Sequence, residues 1–220
     1  MIFNVIIIFI NIYPYFLKIK MRIAGMYVRA IEFLITVNII VFLFTAASYR
    51  LFELFALMPV YVPKEPWTLI TSMFTHANFE HLLVNMVGLF FLGSYLERII
   101  GENNFLKVYF IGGLFGGILS VITGFLGFWS IETRIVGASG AVFAVAACLA
   151  ILRPNLTIFI FPIPFPMPLY IAVFGFMFIM SFMPGIAWSG HLGGLIVGAL
   201  YGIRFRGGEI GVDRYGYRFY

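Results

Sequence analysis

The chain has 220 residues, of which 62% are hydrophobic and only 10% are charged. So few ionisable side chains cannot cover a water-soluble domain of this length, which excludes a soluble fold and predicts an integral membrane protein. The net charge of +5 comes from Lys and Arg that flank apolar segments. This distribution indicates membrane topology and offers no continuous basic patch for nucleic acid.

The first 29 residues form a hydrophobic and basic segment whose role the sequence leaves open. The stretch MIFNVIIIFINIYPYFL at residues 1–17 fits a seventh span, a segment at the membrane surface, or a start assigned too early, with Met21 as the true initiator. It lacks the basic leader and the small-residue cleavage site of a signal peptide. Pro14 and the short length favour an interfacial segment over a full span.

Six apolar runs follow. A helix needs about 20 apolar residues to cross the hydrocarbon core of a bilayer. The sequence therefore predicts an all-α, polytopic bundle of six transmembrane helices, at 30–49, 79–97, 105–126, 137–152, 168–184 and 188–204. Residues 30–205 are expected to form the core, and 206–220 a basic, aromatic tail. The third and sixth runs carry glycines four residues apart, which let neighbouring backbones approach closely.

The basic residues predict the orientation of these spans. If residue 29 is cytoplasmic, eleven Lys and Arg lie on that side, and three lie on the other, namely Arg50, Lys64 and Arg134. The positive-inside rule then places both termini in the cytoplasm of a multi-pass protein of the cell membrane. The loop from Arg50 to His76 faces outward, and its mix of Phe, Leu, Trp and Tyr is typical of a segment in the membrane interface.

Polar residues recur at the outer ends of the second, fourth and sixth runs. His81 and Asn85 are four residues apart and share a helix face in the second run. Ser139 lies five residues after Arg134, on the order of 7 Å below the outer boundary, and His191 begins the sixth run at a similar depth. A lone serine in a span is usually helix packing, and Asn85 alone suits an interhelical clamp, but their shared depth favours a site.

The scarcity of acids narrows the chemistry of this layer. None of the nine Asp and Glu lies well inside a predicted span, which excludes a paired-aspartate protease and disfavours a proton-coupled carrier or small channel. His76, Glu80 and His81 have the wrong spacing for a metallohydrolase helix. A site of three histidines on zinc stays conceivable geometrically, but no metal or other cofactor is predicted.

A serine with a histidine remains. A hydroxyl becomes a good nucleophile when a neutral imidazole takes its proton, and without a carboxylate to orient the base the pair is a dyad. The oxyanion that forms needs donors aimed at it. His81, Asn85 and the backbone N–H of Ser139, at a helix start, are the candidates. The glycines that flank Ser139 leave room for a substrate carbonyl.

These motifs resemble those of the rhomboid family of intramembrane serine proteases. GASG at 137–140 is similar to the family's Gly-x-Ser-Gly, HLGG at 191–194 to its His-x-x-Gly, and HANFEHLLVN at 76–85 to its His-x-x-x-x-His-x-x-x-Asn. The resemblance covers roughly residues 30–205, including Gly93, Glu97 and Gly101. It implies the following residue roles: nucleophile Ser139, general base His191, oxyanion donors His81, Asn85 and Ser139, close-packing Gly194, structural His76, and supporting residues Gly137 and Gly140.

Two positions depart from the family pattern. The outer-loop motif usually reads Trp-Arg, but Trp67 is followed here by Thr68, which questions the usual polar bracing of that loop. Phe143 stands where some members carry tyrosine, so an aromatic ring for the histidine is kept and its hydroxyl is lost. The resemblance also implies single-pass transmembrane substrates with small, helix-destabilising residues. These substrates are expected to enter beside the fifth span, which the segment PIPFPMP at 162–168 precedes.

The competing class of protein is an inactive membrane scaffold, which the intact serine and histidine disfavour.

Overall fold

The computed structural model describes residues 7–8, 21–23, 26–160, 165–180 and 188–207. Three predictions from the sequence lie partly outside this range: most of the segment 1–29, residues 162–164 and 181–184 around the fifth predicted span, and the tail from 208. Within the described residues the protein is mostly helical. The α-helices of this described part are α1 (Ala30–Ala47), α2 (Tyr49–Phe55), α3 (Thr68–Thr71), α4 (Phe79–Gly88), α5 (Ser94–Ile100), α6 (Glu102–Phe125), α7 (Ser139–Leu152), α8 (Leu169–Met180) and α9 (Trp188–Gly207).

Shorter helical turns complete these elements. Two 3₁₀ turns, Pro59–Tyr61 and Ser72–Phe74, flank α3 in the loop from Arg50 to His76. A π-helical turn, Leu89–Gly93, joins α4 to α5, so that Phe79–Ile100 is one continuous rod. Such turns insert an extra residue into the helix and are often found close to functional sites.

Short strands qualify the prediction of an all-helical chain. The strands are β1 (Ile7–Ile8), β2 (Met21–Ile23), β3 (Met26–Val28), β4 (Thr157–Ile160) and β5 (Met167–Pro168). β4 pairs antiparallel with both β1 and β5, and β2 pairs antiparallel with β3. Strands of two to four residues carry too little alternation for the sequence to reveal them.

Among the residues that the structure describes, three helical segments are long and apolar enough to cross a membrane: Ala30–Ala47, Phe79–Ile100 and Glu102–Phe125. Ser139–Leu152 and Leu169–Ile179 are apolar but shorter. Each predicted run coincides with a helix to within a few residues wherever the structure describes it. The count of six spans stays a prediction, because α7 has 14 residues and α9 ends with Arg204 and Arg206 in its last turn.

On α1 a polar side chain is buried and apolar side chains are exposed, which is the reverse of the pattern in a soluble protein. On α1, Asn38 is completely buried, whereas Leu43 and Phe44 are 61% and 62% exposed. The Asn38 amide donates to the Leu34 carbonyl at 2.8 Å, so its burial leaves that N–H paired. Exposed apolar side chains around a core that holds polar groups are expected where lipid is the solvent, and the protein is a membrane protein.

The centre of the bundle is α7, which packs against both α6 and α9. Small residues make this approach close: a Cβ on Gly112 of α6 would lie 2.2 Å from the Ala144 Cβ of α7. On α9, a Cβ on Gly198 would lie 2.0 Å from the Ala144 carbonyl oxygen. Backbone contact of this kind brings the first residues of α7 and α9 next to each other.

Candidate active site

Ser139 and His191 meet at the N-terminal ends of two adjacent helices. Ser139 is the first residue of α7, and His191 lies in the first turn of α9. The Ser139 Oγ is 2.7 Å from the His191 Nε2, which is hydrogen-bonding distance. His191 is buried, at 7% exposure, whereas Ser139 is partly accessible. A hydroxyl held against a buried imidazole can lose its proton to that imidazole.

Glycines set the distance between the two helices at this level. A Cβ on Gly194 would lie only 1.9 Å from the carbonyl oxygen of Gly140, and a Cβ on Gly140 would lie 3.1 Å from that of Gly190. A side chain at Gly194 would therefore push α9 away from α7. The structure thus places Gly194 and Gly140 at the backbone contact that holds the imidazole within reach of the hydroxyl.

An aromatic ring holds the plane of the imidazole. Phe143, one turn after Ser139, stacks on His191 with ring centroids 4.7 Å apart and an interplanar angle of 27°. The other face of Phe143 receives Phe176 of α8, at 6.3 Å and 18°. No hydrogen-bond partner reaches the Nδ1 of His191 within the described part of the chain. Its orientation therefore comes from stacking and from Ser139.

Gly137 brings a second imidazole to the site. Its φ of +119° turns the chain from extended backbone into α7, and a Cβ there would lie 2.6 Å from His81 Cε1 and 3.7 Å from the Ser139 Oγ. Only glycine combines this φ with this contact. The Nδ1 of His81 lies 3.4 Å from the Ala77 backbone N–H, which donates to it weakly. A neutral His81 then carries its hydrogen on Nε2, on the side of Gly137.

Asn85 and His76 support His81. The Asn85 side-chain amide donates to the His81 carbonyl oxygen at 2.8 Å, which uses one of its two hydrogens. His76 packs edge-on against His81 with ring centroids 5.1 Å apart. Burial, with a smaller contribution from His81, lowers the pKa of His76 to about 3, so this imidazole is neutral at physiological pH. In the described residues, no group of three His, Cys, Asp or Glu side chains could hold a metal ion.

Trp67 lies in the loop from Arg50 to His76 and braces it, although its side chain is exposed. Its indole N–H donates to the Leu54 carbonyl oxygen at 3.1 Å, which ties α3 to the end of α2. At the next position, where the family pattern has arginine, the Thr68 hydroxyl donates to the Glu65 carbonyl oxygen at 2.6 Å. The loop therefore has polar bracing of a local kind without that arginine.

A further brace, not foreseen from the sequence, joins the outer loop to the segment before Ser139. Arg134 forms an ion pair with Glu53 of α2, and its Nη2 also lies 3.3 Å from the Tyr49 hydroxyl. The hydrogen bond between the two side chains is the main cause of both pKa shifts: it lowers the pKa of Glu53 and raises the pKa of Arg134. Nearby, the backbones of Leu57 and Ile135 pair, and Gly137 N–H donates to the Ser72 carbonyl at 2.9 Å. Glu53 and Arg134 are 81 residues apart, so no local signal in the sequence links them.

A comparison of the sequence with models of known protein families gives a match that includes these motifs. The family model described as the rhomboid domain matches residues 63–207. The chain belongs to the rhomboid family. The matched range includes the GASG and HLGG motifs, which lie at the starts of α7 and α9.

Several curated rhomboid proteins are similar to this chain. Rhomboid protein 1, mitochondrial, of Saccharomyces cerevisiae is 30% identical over 149 residues, which cover 61% of this chain and 40% of that protein. The putative rhomboid protease YdcA of Bacillus subtilis is 34% identical, with 62% of this chain and 65% of the relative covered. For the rhomboid protease GluP of the same organism the values are 35%, 61% and 25%. The chain thus spans less than two thirds of the length of each of these relatives.

Proposed function

We propose that this rhomboid protein is an intramembrane serine endopeptidase whose catalytic pair is Ser139 and His191. The observation that carries the proposal is the 2.7 Å approach of the Ser139 Oγ to the His191 Nε2. Two of the relatives are named rhomboid proteases, which supports the same reaction class.

In the proposed reaction the His191 Nε2 accepts the Ser139 proton as the Oγ attacks the scissile carbonyl carbon. The tetrahedral intermediate collapses to an acyl-enzyme when His191 returns that proton to the leaving amine. Water then enters, gives a proton to His191 and attacks the ester carbonyl, and Ser139 regains its proton as the acid product leaves. The neutral imidazole serves as the base and the imidazolium formed from it serves as the acid, so the proposed proton transfers use no intramembrane carboxylate.

The oxyanion is assigned to three donors. These are the backbone N–H of Ser139, the Nε2–H of His81 and the second side-chain N–H of Asn85, which its bond to the His81 carbonyl leaves free to donate. The first N–H groups of a helix have no partner inside that helix, which makes the start of α7 a suitable place for developing negative charge. His76 keeps a structural role by packing against His81.

The substrates that suit this site are single-pass transmembrane proteins cut near the outer face of the cell membrane. A peptide bond inside a helix is sheltered by its own hydrogen bonds, so substrates whose small residues weaken the helix are favoured. We assign the catalytic core to residues 30–205 in six spans, with both termini cytoplasmic, and place substrate entry beside α8.

Labelling with a fluorophosphonate probe tests the nucleophile. We expect mass mapping of the purified, full chain to find the adduct on Ser139, and Ser139→Ala to lose both the adduct and cleavage of a single-pass reporter. The matched control is Ser130→Ala, which removes an exposed hydroxyl from the connection between α6 and α7 and keeps both signals. Cleavage by Ser139→Ala at the wild-type rate would end the proposal, and reporter binding without cleavage by the wild-type chain would favour a scaffold.

A further inference from the structure

A cavity of about 370 Å³ lies at the end of the bundle opposite the Ser139–His191 pair. It opens between the start of α6 and the end of α9 and is lined by Asn104, Lys107, Tyr201, Arg204 and Phe205. Thirteen residues of helix separate His191 from Arg204, so the two sites are about 20 Å apart along α9. The cavity plays no part in the proposed proteolysis.

Two cationic side chains from different helices share this cavity. Lys107 comes from α6 and Arg204 from α9, and no acidic side chain is among the lining residues. Neither cation forms an ion pair within the part of the chain that the structure describes. Two like charges at one cavity repel each other, and an anion between them converts this repulsion into attraction. The arrangement is complementary to a negatively charged group.

The remaining lining residues make the cavity amphipathic. Tyr201 and Phe205 pack together with ring centroids 5.5 Å apart, and the buried Phe205 forms an apolar wall. The Asn104 amide donates one hydrogen to the Ile100 carbonyl oxygen at 2.8 Å, which fixes the side chain and leaves its second N–H as a donor. A free ion would use the cations and the amide alone, whereas a ligand with an apolar part also covers the aromatic wall.

We propose that this cavity binds the phosphate group of an anionic membrane lipid, with Arg204 and Lys107 on the phosphate oxygens and the lipid's apolar part against Tyr201 and Phe205. The planar guanidinium offers two parallel donors to a phosphate, and the flexible ammonium adds a point charge. Basic pockets between transmembrane helices at the membrane surface are suited to lipid headgroups of this kind.

Native mass spectrometry of the full chain in detergent, titrated with phosphatidylglycerol or phosphatidylcholine, tests this assignment. We expect phosphatidylglycerol to bind more tightly than phosphatidylcholine, and Lys107→Gln and Arg204→Gln each to weaken it about five-fold. The matched control is Arg206→Gln, which removes the same charge from the last turn of α9 but does not line the cavity. Thermal unfolding without added lipid checks that each variant folds as the wild type does.

Equal affinity of the Arg204→Gln and Arg206→Gln variants for phosphatidylglycerol would overturn the site. A second arm titrates inorganic phosphate against bound phosphatidylglycerol. We expect millimolar phosphate to leave the lipid in place, because it makes no contact with the aromatic wall. Displacement of the lipid at that concentration would instead identify a soluble phosphate as the ligand and overturn the assignment to lipid. Cleavage plays no part in these readouts, so they are independent of the proposed protease activity.

Discussion

At the residue scale, His191 is held by stacking where a carboxylate would hold the base of a triad. Phe143 fixes the plane of the ring but makes no hydrogen bond that would choose its tautomer. In the proposed mechanism the Ser139 hydroxyl donates to Nε2, so a neutral His191 carries its hydrogen on Nδ1. Phe143 has no hydroxyl, so its contact with the imidazole is made by the ring alone.

Gly137→Ala should disable the site through His81. A side chain at positive φ costs about 1–3 kcal/mol, and here the new Cβ also lies 2.6 Å from the His81 ring, which must move. We expect turnover of a single-pass reporter to fall by up to about 100-fold. Gly127→Ala is the control, because Gly127 also has positive φ but its Cβ would meet open space. Similar losses of turnover in both variants would assign the effect to backbone strain alone.

At the scale of elements, the site depends on how closely α7 and α9 pack. The contact continues beyond the Ser139–His191 pair, where Gly198 meets the backbone of Ala144 and Gly202 lies near Ile151. Near the N-terminus of α9, the Thr123 hydroxyl of α6 donates to the Ser189 Oγ at 2.9 Å, with both side chains buried. Small residues and this polar contact together hold α9, and with it His191, against α6 and α7.

Gly198→Ala tests the helix contact away from the dyad. The added Cβ would lie 2.0 Å from the Ala144 carbonyl oxygen, so α9 must move outward, at a cost of about 1–3 kcal/mol in the free energy of unfolding. Gly175→Ala on α8 is the control, because its Cβ meets open space and alanine favours the helix. Thermal unfolding in detergent measures both. A melting temperature of Gly198→Ala at or above that of Gly175→Ala would contradict the contact.

The ion pair between Glu53 and Arg134 gives the connection before α7 a dependence on pH. Because the hydrogen bond from Arg134 lowers the pKa of Glu53 in the folded protein, the stabilisation is present above the ordinary value of 4.5. It is lost as the pH falls through the lowered pKa. Thermal unfolding between pH 7 and pH 3 should therefore show a wild-type advantage over Glu53→Gln that shrinks as the pH falls below 4.5. The exposed Glu132→Gln is the control, and an advantage that stays constant across this range would contradict this prediction.

At the scale of the whole molecule, the orientation in the membrane can be measured with single cysteines. Cys148 is buried, so it should not react with a maleimide that cannot cross membranes. We expect Lys64→Cys, in the outer loop, to be labelled on intact cells. Asn103→Cys, at the start of α6, should be labelled only after the cells are opened. Labelling of Asn103→Cys on intact cells would reverse the assigned topology.

Most of the helical layout could be predicted from the sequence. The runs 79–97, 105–126 and 137–152 correspond to Phe79–Ile100, Glu102–Phe125 and Ser139–Leu152, because sustained apolar composition is a local property of the chain. The strands were missed because they are short. The π-helical turn at Leu89–Gly93 was missed because its sequence is as apolar as the α-helix around it.

The sequence by itself determined the residue types available for chemistry: a serine among glycines, three histidines and no acid well inside a predicted span. Tertiary structure decided which of them meet. Four contacts join residues that are far apart in the sequence. They are the approach of Ser139 to His191, the stacking of Phe143 on His191, the contact of Gly137 with His81 and the ion pair of Glu53 with Arg134. Such contacts follow from how helices pack, and helix packing depends on distances between backbones that no local pattern encodes.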